Sequence, residues 1–161
     1  MLLLSDEAIR ELVNEAKPIP EGLRPFSKLV EYNKHARRDY EITCASGNSF
    51  VIAIRQSTMN RFDFSAILGY QMPGINKIFR LRRYNGRSHF HTNTIEGETF
   101  RDFHIHVATA RYQNICSKED HFAVVDARYA DLDSAVDCLL KDCGFRSPIE
   151  NSPIFTGQPI P

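Results

Sequence analysis

Four of the six histidines fall between residues 89 and 106, as His89-Phe90-His91 and His104-Ile105-His106. Successive side chains of a strand point to opposite faces, so each His-x-His pair presents two imidazoles on one side. Phe90 points to the other side, as do Phe103, Ile105 and Val107, and these are core-type residues. Imidazole gains or loses a proton near neutrality and ligates borderline metals. Arginines precede the first pair, at Arg80, Arg82, Arg83 and Arg87. Guanidinium groups bind phosphate bidentately and stabilise charge that develops on it.

Asn85-Gly86 sets the expected register, because Asn-Gly favours a two-residue type I′ hairpin. Tyr84 then opposes Arg87, Arg82 opposes His89, Leu81 opposes Phe90 and Arg80 opposes His91. Leu81 and Phe90 meet on the buried side. Tyr84, Arg82, Arg80, Arg87, His89 and His91 share the polar side, which a strand carrying His104 and His106 extends.

Such a face supports three readings. The first is metal-independent RNA cleavage, with one imidazole as base for the 2′-hydroxyl and another as acid for the leaving oxygen. His104 and His106 are the foremost candidates, followed by His91 and His89. Arg82, Arg80 and Arg87 hold the phosphate, and Tyr84 or Tyr112 stacks a base or donates a proton. No metal or other cofactor enters this reading. The second is a histidine-bound metal site of zinc type, opposed by the interleaved arginines; Glu96, Glu98 or Asp102 could add a carboxylate. The third is a solvated sheet face without chemistry, or a basic face that grips an acidic partner or a nucleotide. No Ser or Cys stands in a recognisable nucleophile setting, and no Gly-rich phosphate loop is present.

The elements that position these residues read as α+β. Ser5 caps an N-terminal helix carrying Ile9, Leu12, Val13 and Ala16 at helical spacing, which Pro18 and Pro20 end. Alternation marks strands at Tyr40–Cys44, Phe50–Ile54, Phe62–Tyr70, Lys77–Tyr84, Phe103–Ala108 and Phe122–Val125. A C-terminal helix follows, with Asp131 as N-cap and Gly144 as its stop. The expectation is a mostly antiparallel sheet of about five or six strands with a helix at each end. Residues 1–146 form a single domain, and 147–161 are a Pro-containing tail.

The whole chain has 20 basic and 20 acidic residues, so a uniformly basic nucleic-acid coat is excluded. The charge is uneven: residues 76–112 hold seven bases against three acids, and residues 117–150 hold four bases against eight acids. The longest apolar run, Phe50–Ile54, is far below the roughly 20 residues that cross a bilayer. Met1-Leu2-Leu3-Leu4 lacks the basic leader of a signal peptide. The four cysteines show no CxxC spacing, as in a protein with reduced thiols. A cytoplasmic protein without membrane contact is the expectation.

From Ile78 to Phe145, the runs IFRLRRYNG, HTNTIEGETFRDFHIH and YADLDSAVDCLLKDCGF resemble a small uncharacterised bacterial and phage family. That family has a His-x-Asn-Pro-Asp-Gly-Glu loop, a His-x-His strand and a closing helix that ends near a Cys. Matching positions are His91, Asn93, Gly97, Glu98, His104, His106, Tyr112 and Cys143. Thr94 and Ile95 stand where that family has Pro and Asp, and the loop is one residue longer. More distantly, the order of elements is similar to small toxin RNases of toxin–antitoxin pairs. The resemblance implies a toxin-like endoribonuclease acting on RNA and neutralised by an antitoxin protein. The alternative from another class is a non-catalytic phage or bacterial binding protein, such as a counter-defence factor.

Overall fold

Ser5 opens helix α1 (Asp6–Asn14): its Oγ accepts the Ala8 N–H at 3.1 Å, and Asp6 and Glu7 occupy the first turn, where the helix dipole favours acids. The computed structural model describes residues 3–24, 29–115 and 118–147. The expected tail therefore lies outside the described residues from 148 onward, as does Cys116. After α1 come β1 (Lys17–Pro18), β2 (Val30–Tyr32), β3 (His35–Thr43), β4 (Ser49–Ser57), β5 (Phe64–Gln71), β6 (Ile78–Asn85), β7 (His91–Asn93), β8 (Glu98–Phe100) and β9 (His104–Val107). Helix α2 (Ala110–Ile115), β10 (Phe122–Val125), α3 (Leu132–Asp142) and β11 (Phe145–Arg146) complete the order.

The fold is α+β. Seven strands form one antiparallel sheet in the order β10-β9-β6-β5-β4-β3-β2, while β7 pairs only with β8 and β1 pairs with β11. The additional strand is β2, in a stretch whose mixed polar composition hides it. It joins β3 through Asn33-Lys34, whose φ angles of 47° and 66° are those of a type I′ turn.

Period-two alternation gives the sheet two unlike faces. Phe50, Ile52 and Ile54 of β4 lie beside Tyr70, Leu68 and Ala66 of β5, and all pack into one continuous core with Val136 and Leu139 of α3. Burying each large side chain contributes about 1.5–3 kcal/mol. The opposite face carries Arg37, Arg55, Arg83, His104 and His106. Helix α3 starts with a capping box between Asp131 and Ser134, and Gly144, at φ +74°, turns the chain after it.

Lys17 is 1% exposed, yet its Nζ lies within 3.0 Å of four carbonyl oxygens, those of Leu12, Val13, Glu15 and Cys143. The ammonium thus collects carbonyls left unpaired at the ends of both terminal helices. Among the described residues no helix is long and apolar enough to cross a membrane.

The Asn85-Gly86 hairpin does not form. Neither residue has the positive φ that a type I′ turn requires. Gly86 instead serves close packing: its N–H donates to the Phe64 carbonyl, and a Cβ there would stand 1.9 Å from the Phe62 oxygen. The chain runs on, and β9 takes the edge of β6 that the hairpin would have used. Phe90, expected in the core, is 67% exposed beneath the Arg101 guanidinium.

Candidate functional site

In β9, His104 and His106 project from the face opposite the helices, as their spacing requires. They are nevertheless buried, because the β7–β8 ribbon folds over them. His91 and Phe100 of that ribbon lie against the His104 ring, with centroids 5.4 Å away in each case. His91 also meets His106 edge-on at 4.6 Å. Exposures are 7% for His91, 0% for His104 and 3% for His106. One ring nitrogen of each lies within 4.8 Å of those of the other two.

Asn93 fixes the ribbon in place. Its Nδ2 donates to the Ala123 carbonyl and its Oδ1 accepts the Ala123 N–H, both at 2.8 Å, so one side chain imitates a strand partner for β10. The same Oδ1 lies 3.1 Å from His91 Nε2, which must therefore donate, leaving Nδ1 with a lone pair.

Two further tautomers follow from backbone partners. His104 Nδ1 faces the Asp102 carbonyl at 2.7 Å, and His106 Nδ1 faces the Asp120 carbonyl at 2.8 Å. A carbonyl only accepts, so both Nδ1 atoms carry the proton and both Nε2 atoms are bare. Yet these Nε2 atoms are 3.1 Å apart. Two lone pairs at that distance repel unless a proton or a cation lies between them. Protonation is opposed by the surroundings. Burial pushes His104 down to about 4, and burial with the nearby Arg83 charge pushes His106 lower still. Burial also lowers His91, against the support of Asn93. A metal ion demands neutral imidazoles. Tetrahedral zinc, with bonds of about 2.0–2.1 Å, separates its nitrogens by about 3.3 Å. Carbonyls that hold the far ring nitrogens are the usual outer support of metal-bound histidine.

His121, absent from the sequence-derived candidates, borders the cluster. Its ring is 5.3 Å from His91, and its buried Nε2 has no hydrogen-bond partner. His89 is exposed and stands edge-on to His104 at 5.9 Å, at the outer side of the cluster. All four histidines named from the two motifs therefore come together, but only His89 is exposed.

The arginines and tyrosines sort differently from the expectation. A bulge opposite Leu68 and Gly69 leaves Leu81 without a register partner on β5, so Arg80 and Arg83 share the histidine face while Arg82 turns to the helix side. Arg82 there binds the Leu81 carbonyl. Arg87 stacks on Phe62 and Phe103, away from the cluster. Tyr84 is in the core, where its hydroxyl donates to Asp142 at 2.8 Å, and burial raises its pKa far above the ordinary range. Tyr112 is fully buried; its hydroxyl donates to Glu96 and accepts the Ile95 N–H, holding the loop between β7 and β8. Neither tyrosine is placed to stack a base from solvent.

Arg83 contacts Asp120 through Nε at 3.0 Å, and Arg80 reaches the same carboxylate at 3.5 Å. Asp120 is fully buried, and its Oδ1 has no hydrogen-bond partner. Burial lowers the Arg83 pKa, with Asp120 opposing it. In the ladder Arg83 pairs directly with His106, so the arginine face and the imidazole cluster adjoin. No sequence signal marked Asp120, because its role depends on the bulge that aligns both arginines. No protein-family model matches the chain, and neither does any curated protein or solved structure.

Proposed function

We propose that this chain is a metalloprotein whose centre is formed by His91, His104 and His106 around one divalent ion of the zinc class. The observation that supports it best is the 3.1 Å approach of two imidazole nitrogens that both carry lone pairs. Three neutral imidazoles, an apolar cover from Phe100 and backbone acceptors on the far nitrogens meet the needs of such an ion. Cobalt(II) titrated into metal-free protein reports on this directly. One equivalent, with the visible absorption of tetrahedral nitrogen coordination, is expected in the wild type. His104→Ala and His106→Ala should lose it while circular dichroism verifies folding. Absence of stoichiometric binding in the folded wild type overturns the reading.

The second reading, an endoribonuclease, is favoured by Arg80 and Arg83 lying on the face of the imidazole cluster. His104 and His106 are poorly suited to exchange protons with RNA themselves, since both are buried and held neutral. In this reading an ion held by His91, His104 and His106 would supply activated water for RNA cleavage, in place of the metal-independent route expected from the sequence. The antitoxin-like partner implied by resemblance would cover the arginine face. End-labelled single-stranded RNA should be cut with zinc and left intact in excess EDTA. Cleavage that persists in EDTA restores the metal-independent route; intact RNA under both conditions removes the nuclease reading and leaves the metal centre standing.

A further inference from the structure

On the face away from the helices, four arginines surround a single groove: Arg37 of β3, Arg55 of β4, and Arg80 and Arg83 of β6. The groove encloses about 470 Å³, and Val51, Ala53 and Ile67 line it between the charges. These positions follow from register. Arg37 pairs with Arg55, Asp39 with Ala53 and Ile67 with Arg83, so one face of four adjacent strands supplies both walls and floor. At about 4.8 Å per strand, the outer arginines are rooted roughly 14 Å apart.

Three carboxylates attend these four cations. Asp39 binds Arg37 through Nε and one amino group, Asp63 binds Arg55, and Asp120 binds Arg83 and Arg80. A fourth, Glu119, accepts the Arg80 backbone N–H at 3.0 Å, so the guanidinium charges are balanced and an anion is attracted through N–H donors left over rather than through excess charge. Each guanidinium has five N–H donors, more than these contacts occupy. The pairs also hold the guanidinium groups in fixed positions, which lowers the entropy lost when an anion binds. An apolar floor between guanidinium walls is poor for a bare inorganic anion, which gains nothing from Val51, Ala53 and Ile67. It suits a ligand with an anionic end and a flat, weakly polar body.

We infer that this groove binds a nucleoside phosphate unit, with the phosphate on the arginines and the base over the Val51–Ala53–Ile67 floor. The unit can be a free mononucleotide or one residue of single-stranded RNA. The site does not depend on the metal centre, although the Arg83–His106 pairing places the two side by side.

Calorimetric titration of the full chain in excess EDTA separates this site from the metal centre. Adenosine monophosphate, inorganic phosphate and a short single-stranded RNA are the three probes. The monophosphate should bind more tightly than inorganic phosphate. Arg55→Ala and Arg80→Ala should each weaken it roughly tenfold, as expected for loss of a charge-assisted contact. Arg87→Ala, at the separate Phe62–Phe103 surface, should leave it unchanged. RNA binding more tightly than the monophosphate identifies the polymer as the source of the unit, and equal or weaker binding identifies the free nucleotide. No binding of either, indifference to Arg55 and Arg80, or phosphate binding as tightly as the monophosphate overturns the inference.

Discussion

Asn93 shows how much one side chain carries in this protein. Its amide satisfies both backbone groups of Ala123 and accepts from His91, so it fixes the β7–β8 ribbon and an imidazole tautomer together. Leucine has similar bulk and none of these bonds. Asn93→Leu leaves a buried N–H and a buried carbonyl unpaired, at about 1–3 kcal/mol each. Urea unfolding should show that loss in the absence of metal. A change below about 0.5 kcal/mol, the size of an ordinary surface substitution, would contradict this role.

At the scale of elements, glycine positions test how the helices join the rest. Gly144 has φ +74°, and a Cβ there would stand 2.4 Å from the Glu15 carbonyl oxygen and 2.8 Å from that of Asn14. Gly47 has φ +90° with nothing within 4 Å of the same atom. Gly47→Ala therefore carries only the conformational cost, about 1 kcal/mol, whereas Gly144→Ala adds a collision with the end of α1. Thermal unfolding should place Gly144→Ala clearly below Gly47→Ala; equal losses would show that the α1 end moves aside freely.

Much at this scale was legible beforehand, because it depends on neighbours in sequence. Ser5 and Asp131 cap their helices through side chains reaching three residues ahead, and Phe122–Val125 is a strand as its apolar run suggests. The shared face of His104 and His106 follows from alternation alone. What was not legible depends on distant chain segments. Asn85-Gly86 has the composition of a turn, but the close approach of the Phe62 carbonyl is what requires a glycine there. The bulge at Leu68–Gly69 changes which arginines share a face, and no periodicity announces it. Burial of the imidazoles required knowing where the β7–β8 ribbon folds.

For the molecule as a whole, the acidic C-terminal part is held by a mixed network rather than left as a free charge surface. Arg128 binds Asp126 and Asp142, and Asp142 also accepts from Tyr84. Burial opposes ionisation of both carboxyls, but these contacts leave each below the usual carboxylate range. Since their folded values lie below the unfolded value of about 3.9, the stabilisation is present above that pH and lost as pH falls through the folded values. Urea midpoints should therefore drop below about pH 4, and Arg128→Leu should flatten that acid limb. An unchanged acid limb in Arg128→Leu would assign the loss to other groups.

The buried ammonium of Lys17 links the two ends of the described chain. It reaches the last turn of α1 and, 126 residues away in sequence, the carbonyl that follows α3. Loosening either helix end strips acceptors from a cation that water does not reach. Fraying, which ordinarily begins at termini one residue at a time, is thereby coupled between them. Release of either helix end thus weakens the hold on the other, which ties the first and last helices to one another through a single side chain.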